Sequence, residues 1–595
     1  MANLDKLPPI FLLSTHLEAD TLQKLEDEIP TLTYDINEAE VVLGNISRKQ
    51  RALFELRKHK LETTEIPSSD NPTDSPKRKR VRTTAPVDDI SDTASEGESE
   101  AGLETTPVKP TIRTVKVVKL SWFTDSQKAG KVLPFGGYLL YEGRKEPKTP
   151  VKSPSLPRAE DVLKRAMADA ASRPGARPGS SSSQAHGREF IQRSSKPPML
   201  RQTTTEDEVN KHLPPIPDYL HTTYSCQRPT PVHPPNGAFI EQLIKIRTAR
   251  TLVGDQIGVR AYSSAIATVA AYPYPISSAQ EVGRLPGCGN KIALLFQEYK
   301  ETGEIQEAKE DESDPKLAVL KLFYEIWGAG ETTAREFYNR GWRDLDDVIE
   351  YGWESLTRVQ QIGVKYYDEL QLKIPRAEVA DIADTILRHA NKIHKGFEMV
   401  IVGGYRRGKL ESGDVDVVLS HPDEAATRNV VESIVVGLEQ SKYITHTLIL
   451  STKNSERGQL PVSWKGNDRK AGSGFDTLDK ALVVWQDPKW TTGESKNPNP
   501  HRRVDIIISP WKTAGCAVLG WTSGTTFQRD LRRYCKKERS LKFDSSGIRS
   551  RMDGSWVDLE SGPNGEPAPD MLTAERRVFA GLGLEYRPPE ERCTG

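Results

Sequence analysis

Asp414 and Asp416 stand two residues apart in Gly413-Asp414-Val415-Asp416-Val417-Val418-Leu419. A third aspartate, Asp505, sits in a second β-branched run, Arg503-Val504-Asp505-Ile506-Ile507-Ile508. Strand side chains alternate faces, so Asp414 and Asp416 share one side. Two carboxylates held together repel each other unless a cation lies between them. Hard oxygen donors on a rigid strand suit Mg²⁺, which keeps waters and takes further ligands from a phosphate. Upstream, Gly403-Gly404-Tyr405-Arg406-Arg407-Gly408 follows the short apolar run Met399-Val400-Ile401-Val402. The glycines let backbone N–H groups approach a phosphate, and Arg406 and Arg407 can neutralise it. A lone D-x-D on a strand is ordinarily a solvated face. Here the surrounding valines read as buried, where unpaired carboxylates are costly. Three aspartates on neighbouring strands beside a phosphate cradle form the layout of two-metal phosphoryl transfer.

The elements that must position these groups are legible around them. A helix over 376–396 leads into the Met399 strand, and a helix around Arg428 to Gln440 follows the D-x-D strand. Strands Ile444 to Leu450 and Lys480 to Trp485 continue the sheet, which the Asp505 strand completes. Residues 452–474 are polar and rich in Gly, Lys and Ser, the longest irregular piece of this region. Gly520-Trp521-Thr522-Ser523-Gly524 reads as a turn. Gln528 to Arg539, with Arg529, Arg532 and Arg533, reads as a strongly basic helix. Such a face is commonly just solvated; beside three aspartates it fits a grip on a polyanion.

Further upstream, Leu285-Pro286-Gly287-Cys288-Gly289-Asn290-Lys291-Ile292-Ala293 has a close relative in Ile326-Trp327-Gly328-Ala329-Gly330-Glu331-Thr332-Thr333-Ala334. Both follow the helix-hairpin-helix pattern. Two glycines make the turn, and the next helix presents its N–H groups to a nucleic-acid phosphate without reading sequence.

A chain of 595 residues exceeds one core and suggests several domains. Its formal net charge is zero, so a basic footprint must be local. Five scattered cysteines without a C-x-x-C pair read as reduced thiols. No apolar run reaches membrane-spanning length, and the first residues lack a signal-peptide layout. Residues 10–59 look folded, with Ile10 to Leu13 and Val41 to Gly44 as strands and Asp20 to Ile29 as a helix. Residues 60–112 turn to Ser, Thr, Pro, Asp and Glu, a disorder signature. Inside them Pro76-Lys77-Arg78-Lys79-Arg80-Val81-Arg82 reads as a nuclear localisation signal or a nucleic-acid patch. A strand at Thr114 to Leu120, a helix opening at Ser121-Trp122-Phe123 and a strand at Tyr138 to Tyr141 follow. These alternating short strands and helices, with Trp122 on the last helix, resemble a BRCT domain.

The glycine turn, D-x-D and later strand aspartate resemble the nucleotidyltransferase superfamily signature. With the two hairpins, Ile374-Pro375-Arg376, Gly403 to Lys409, Val504-Asp505 and the tail Gly581 to Arg592, residues 236–595 resemble the family X DNA polymerases. The N-terminal region and its linker are similar to the lambda- and mu-like members, including the fungal polymerase IV type. The resemblance implies a multidomain α+β/α fold. Its parts would be a BRCT domain over 1–145 with a disordered insertion at 60–112, a linker over 146–235, and a helical 8 kDa domain over 236–308. Fingers over 309–380, a palm with a small mixed sheet over 381–512 and an α+β thumb over 513–595 would complete it.

It also implies roles. Asp414, Asp416 and Asp505 would hold two Mg²⁺ ions, with Mn²⁺ an acceptable substitute, and Asp505 would lie nearest the primer 3′-hydroxyl. Arg376, Gly403, Gly404, Arg407, Gly413, Gly520 and Trp521 would bind the nucleotide. Gly287, Gly289, Lys291, Gly328, Gly330, Arg529, Arg532 and Arg533 would bind DNA. Gly404 and Gly520-Trp521 match the mu branch, whereas Gly413 replaces its histidine. In lyase-active members a lysine serves as the Schiff-base nucleophile; here Leu295 occupies that position, and Lys291 lies one turn before it. The expected function is a nuclear, monomeric, template-directed DNA polymerase for short-gap filling and break joining. It would take gapped or broken duplex DNA, deoxynucleotides and ribonucleotides, and would meet end-joining proteins through the BRCT domain. A lambda-like base-excision polymerase with lyase, and a non-catalytic DNA-binding scaffold, are the alternatives.

Overall fold

A computed structural model describes residues 7–17, 19–59, 61–66, 114–145, 213–461, 477–490 and 497–594. The basic cluster at 76–82, the linker as far as 212, and 462–474 of the polar segment lie outside the described residues. The chain divides into two compact units, one centred on the N-terminal residues and one on the remainder. No helix among the described residues is long and apolar enough to cross a membrane.

The N-terminal unit is a five-stranded sheet of order β1-β2-β4-β5-β3. Its strands are β1 (Ile10–Leu12), β2 (Val41–Gly44), β3 (Thr63–Glu65), β4 (Thr114–Lys119) and β5 (Leu139–Lys145). β1, β2 and β4 are parallel, and β5 runs antiparallel to both β4 and β3. β2 is buried throughout, as a central parallel strand covered by helices must be. Trp122, on helix Ser121–Ala129, is fully buried; its Nε1 donates to the Leu133 carbonyl at 2.8 Å. Two elements here were not singled out in sequence. Helix Lys49–Lys58 is highly charged, and its Arg51 and Glu55 pair with each other at 2.9 Å in the interior. β3, on the sheet edge, is largely polar, so residues 61–66 belong to the sheet rather than to an insertion opening at 60.

The larger unit opens with helices Gly237–Val253, Gln256–Ala271, Ala279–Arg284 and Asn290–Thr302, packed around Phe239, Leu243, Val269 and Phe296. Residues 213–235, read as linker, are in fact packed. Tyr224 Oη donates to Glu538 at 2.7 Å, Ser225 N to Asp530 at 3.0 Å, and Arg228 to Thr268 at 2.8 Å. Their proline-rich composition hid six buried residues, Leu220, Tyr224, Ser225, Cys226, Arg228 and Thr230.

β6 (Ile374–Pro375) leads into helix Arg376–Ile393, followed by β7 (Glu398–Ile401), β8 (Glu411–Ser412), β9 (Val415–Ser420), β10 (Ile444–Ser451), β11 (Asp479–Trp485) and β12 (Arg502–Ile508). The main sheet has the order β10-β11-β12-β9-β7, and only β12 and β9 are parallel neighbours. Val415, Val417, Leu419, Val504, Ile506 and Ile508 face helices Arg376–Ile393 and Val430–Gln440. Val418 and Ile507 face the opposite side, against Ala514, Ala517 and Val518 of helix Ala514–Thr522. Alternation along the strands therefore puts Asp416 and Asp505 on the second face, with Val418 and Ile507. β6 pairs with β8, bringing Ile374 opposite Ser412.

Residues 452–461, assigned in sequence to the irregular segment, are folded: Lys453–Glu456 is one helical turn and Gln459 is buried. The C-terminal part contains helix Thr525–Glu538, a small sheet of β13 (Leu541–Asp544), β14 (Gly547–Ser550) and β15 (Trp556–Val557), and helix Met571–Gly581. Backbone carbonyls of Arg592 and Thr594 accept from Gly524 N and Thr526 N at the start of helix Thr525–Glu538.

Candidate active site

Asp505 of β12 and Asp416 of β9 are register partners in the one parallel pair of the main sheet. Asp414 lies two residues before Asp416, just outside β9, and its carboxylate is ion-paired to Arg503 of β12. The sheet thus collects all three aspartates on two adjacent strands, at the start of β9 and the middle of β12. Burial pushes the Asp416 carboxyl well above the usual carboxylate range, and repulsion from Asp414 and Asp505 adds to the shift. A group penalised for its negative charge by two others of the same sign is set up to share a divalent cation with them. Among the described residues, no three side chains of His, Cys, Asp and Glu yet converge as a finished metal cage. Asp414 is instead engaged by Arg503, whose guanidinium also lies 5.4 Å from the centre of the Trp327 ring. The donor set, three hard carboxylates whose charges oppose one another, fits a hard divalent ion.

The phosphate-cradle candidate abuts this trio. Gly403 has φ +60°, and a Cβ there would collide with Asp416 Oδ2. No other residue type combines that backbone with that approach. Gly404 faces Ser412, whose Oγ lies 3.5 Å from the place a Cβ would take. Ser412 is buried and its hydroxyl has no hydrogen-bond partner among the described residues.

The arginines divide into two roles. Arg407 donates from Nη1 to the Thr522 carbonyl at 2.8 Å and remains half-buried at the cradle. Arg406, read as a phosphate neutraliser, is committed elsewhere. It grips Glu575 with both terminal nitrogens at 2.9 and 2.7 Å and the Thr522 hydroxyl at 2.7 Å. Arg592 joins Glu575 at 2.6 Å, and both of these are fully buried. Arg376, placed by sequence at the triphosphate, donates from Nη1 to the carbonyls of Tyr405 and Lys409 at 2.6 and 2.9 Å. It also stacks on Tyr405 at 3.8 Å. Its guanidinium pins the turn that carries the cradle.

Two cations not singled out in sequence also lie beside the cradle. Lys373 Nζ lies 4.0 Å from where a Gly413 Cβ would be. Lys409 passes 3.3 Å from the corresponding point on Gly404. Burial lowers the Lys409 pKa, and the nearby positive charges of Arg407 and Lys373 add to this, which makes the cluster receptive to an anion. The β6–β8 pairing sets Lys373 beside Gly413, and sequence distance concealed it.

Gly520 and Trp521 lie in helix Ala514–Thr522 rather than in a turn; the chain breaks from the helix only at Ser523. The apolar run Ala514 to Leu519 explains this, because it buries one helix face on the sheet. Gly520 is buried and Trp521 half-buried. Thr522, the last residue of that helix, takes the bonds from Arg406 and Arg407, so that helix and the glycine turn are fastened to each other.

The hairpin glycines behave as their pattern requires. Gly287 and Gly328 have φ +84° and +88°, while Gly289 and Gly330 sit at the N-caps of helices Asn290–Thr302 and Glu331–Asn339 with open space before them. Lys291 is exposed and paired with Glu307 at 3.0 Å. Burial lowers its pKa, but its bonds to Glu307 and Tyr262 outweigh this and the net shift is upward. Leu295 is buried in the helical core. On helix Thr525–Glu538, Arg529 and Arg533 bracket the buried Asp530 at 3.2 and 3.3 Å and, with exposed Lys536 and Lys537, form a basic stripe at helical spacing. Arg532 is half-buried and donates to the Gln528 carbonyl at 3.2 Å, so its charge is partly committed within the helix.

Comparison with known proteins matches each part of this region. Residues 234–305 match a helix-hairpin-helix domain, 321–371 the fingers domain of DNA polymerase lambda, 373–511 the DNA polymerase beta palm, and 517–593 the DNA polymerase beta thumb. The DNA polymerase type-X family protein pol4 of Schizosaccharomyces pombe is 33% identical over 379 residues, covering 62% of this chain and 67% of that relative. DNA polymerase lambda of Rattus norvegicus is 31% identical over 353 residues, 59% of this chain and 55% of the relative. DNA-directed DNA/RNA polymerase mu of Homo sapiens is 28% identical over 375 residues, 62% of this chain and 71% of the relative. With these domain matches and a relative 33% identical over two thirds of its length, the chain belongs to family X of the DNA polymerases.

Proposed function

We propose that this chain is a DNA-directed DNA polymerase that fills short gaps and joins broken ends in repair, adding nucleotides to a primer 3′-hydroxyl. The observation that carries the reading is the contact of Gly403 with Asp416, itself in register with Asp505, because it joins phosphate cradle and carboxylate trio in one site. Asp414, Asp416 and Asp505 would hold two Mg²⁺ ions; bound there, such ions supply charge neutralisation and a lowered hydroxyl pKa. Asp505 orients the primer terminus on β12. Arg407, Lys409 and Lys373 bind the triphosphate, and helix Ala514–Thr522 presents Gly520-Trp521 to the sugar and base.

The hairpin turns and the stripe on helix Thr525–Glu538 hold the duplex backbone on either side. The parallel strands β1, β2 and β4 and the buried Trp122 support reading the N-terminal unit as BRCT-like, a module for protein-mediated recruitment to breaks. Nuclear action and a monomeric state complete the reading. A buried leucine at position 295 disfavours the base-excision alternative, and the intact trio disfavours a silent scaffold.

Primer extension on a one-nucleotide gap with Mg²⁺ tests the proposal. The protein should extend the primer, and Asp505→Ala should abolish addition while leaving DNA affinity within about twofold, since it removes stabilisation specific to the transition state. Substantial extension by the variant would sink the assignment.

A further inference from the structure

The stretch from Ile216 to Thr230 is built into two cores. Ile216, Tyr219 and Leu220 pack into the helical core around Phe239, and Tyr219 Oη donates to the Ala271 carbonyl at 3.2 Å. Tyr224 and Cys226 belong to another core, with Phe527, Tyr534 and Cys535 of helix Thr525–Glu538. Tyr224 comes four residues after Leu220, which spans at most about 14 Å. So short a connection can enter both cores only where they lie side by side.

Polar contacts extend this strap to the two elements assigned to duplex DNA. On one side, Ser225 N donates to Asp530 Oδ2 at 3.0 Å, and Ser225 Oγ donates to the Thr526 carbonyl at 3.2 Å. Asp530 is buried, and its Oδ1 accepts from Arg529 and Arg533 of the basic stripe at 3.2 and 3.3 Å. Tyr224 Oη donates at 2.7 Å to Glu538, the last residue of the same helix. On the other side, the buried Arg228 donates from Nη1 to Thr268 Oγ1 at 2.8 Å. Thr268 Oγ1 in turn donates at 2.9 Å to the carbonyl of Pro286, the residue before the left-handed Gly287 of the first hairpin.

Hairpin and helix are far apart in sequence, yet each is bonded to the same few residues. The C-terminal tail closes the arrangement: Thr230 N donates to the Glu591 carbonyl at 2.8 Å, and the Thr230 carbonyl accepts from Cys593 N at 3.1 Å. A connection that merely joined two domains would need neither the buried side chains nor these bonds. A buried donor that loses its acceptor suffers the full desolvation penalty, so the strap holds one separation rather than a range of them.

We propose that Ser225 and Arg228 are positioning residues that fix the distance between the hairpin at Gly287 and helix Thr525–Glu538, and that this distance selects short gaps. This rests on the reading of the enzyme as a gap-filling polymerase. One element grips the duplex that carries the primer, and the other grips the duplex beyond the gap. A fixed separation suits a gap of one nucleotide; on a longer gap one grip is lost. Both residues are buried and act through the elements they hold.

The test measures steady-state extension by the full chain on three substrates: a primer–template without a downstream strand, a one-nucleotide gap and a five-nucleotide gap. The variants are Arg228→Ala, Arg228→Lys, Thr268→Val and Ser225→Pro. The last removes both Ser225 donors at the first position of a helical turn, where proline is accommodated. The wild type should favour the one-nucleotide gap over the longer one by about tenfold in kcat/KM, the worth of one charged hydrogen bond. Arg228→Ala and Ser225→Pro should each remove most of that preference by raising KM for the short gap, with kcat and extension of the substrate without a downstream strand within about twofold of wild type. Arg228→Lys should recover part of the preference. Thermal melts identify any variant that fails to fold, and Thr268→Val, close in shape to the residue it replaces, then carries the same contrast. Equal loss on all three substrates would make the strap a plain brace and overturn the proposal. If the wild type extends all three equally, the gap-filling reading falls and the proposal with it. If the wild type prefers the short gap and every folded variant keeps that preference, the positioning proposal alone falls.

Discussion

Asp416 and Asp505 occupy directly paired positions on parallel strands, and the Asp416 charge is penalised first by burial and then by Asp414, two residues away on the same face, and by Asp505. Arg503 relieves part of that crowding by pairing with Asp414.

The raised Asp416 pKa has a defined sign for stability. The folded state holds the proton more tightly than the unfolded chain, so the folded state is penalised as pH rises above the unfolded carboxyl value, about 3.9. The penalty grows until pH passes the folded pKa. In chelator at pH 7, Asp416→Asn should therefore stabilise the protein by on the order of 1 kcal/mol, and the gain should vanish near pH 4 and below. Thermal melts across pH check this; equal melting temperatures at pH 7 would show that the three carboxylates do not repel one another in the folded protein.

Glu575 carries the opposite sign. Burial alone would raise its pKa, but Arg592 and Arg406 outweigh it and hold the carboxyl below its usual range. Its stabilising contribution is present above the unfolded value and is lost as pH falls through the folded one. Glu575→Gln should cost about 3 kcal/mol at pH 7, because it strands the buried Arg592 and the half-buried Arg406. The difference from wild type should narrow below about pH 4. Urea melts at pH 7 and at low pH measure both.

Sugar selection should be weak. Gly520 offers no side chain on the helix turn that Arg406 and Arg407 fasten to the cradle through Thr522. The ratio of kcat/KM for deoxy- over ribonucleotide should stay below about a hundredfold, or 2.7 kcal/mol. Discrimination of several thousandfold would contradict the role given to Gly520.

Borohydride trapping on an incised abasic duplex should give no covalent adduct. Leu295 is buried and cannot form an imine, and Lys291 is held protonated by Glu307. An adduct lost in Lys291→Ala would reassign Lys291 as a nucleophile and shift the function toward base excision.

The amino-acid sequence by itself determined the chemistry and most of the scaffold. D-x-D in a valine run, a strand aspartate among isoleucines, and paired glycines before helices are local patterns, and alternation or a positive φ is dictated within a few residues. Helix Arg376–Ile393, the sheet strands and both hairpins follow from them. Tertiary structure decided which charges serve the site. Arg406 and Arg407 are neighbours in sequence, yet one is consumed by Glu575, 169 residues away, and the other remains at the cradle. Arg376 is spent on carbonyls some 30 residues on, and Lys373 stands beside Gly413 only because β6 pairs with β8. The edge strand β3 and the packed stretch 213–235 were hidden for the same reason. Their stability comes from partners supplied by distant elements, so neither composition nor periodicity records it.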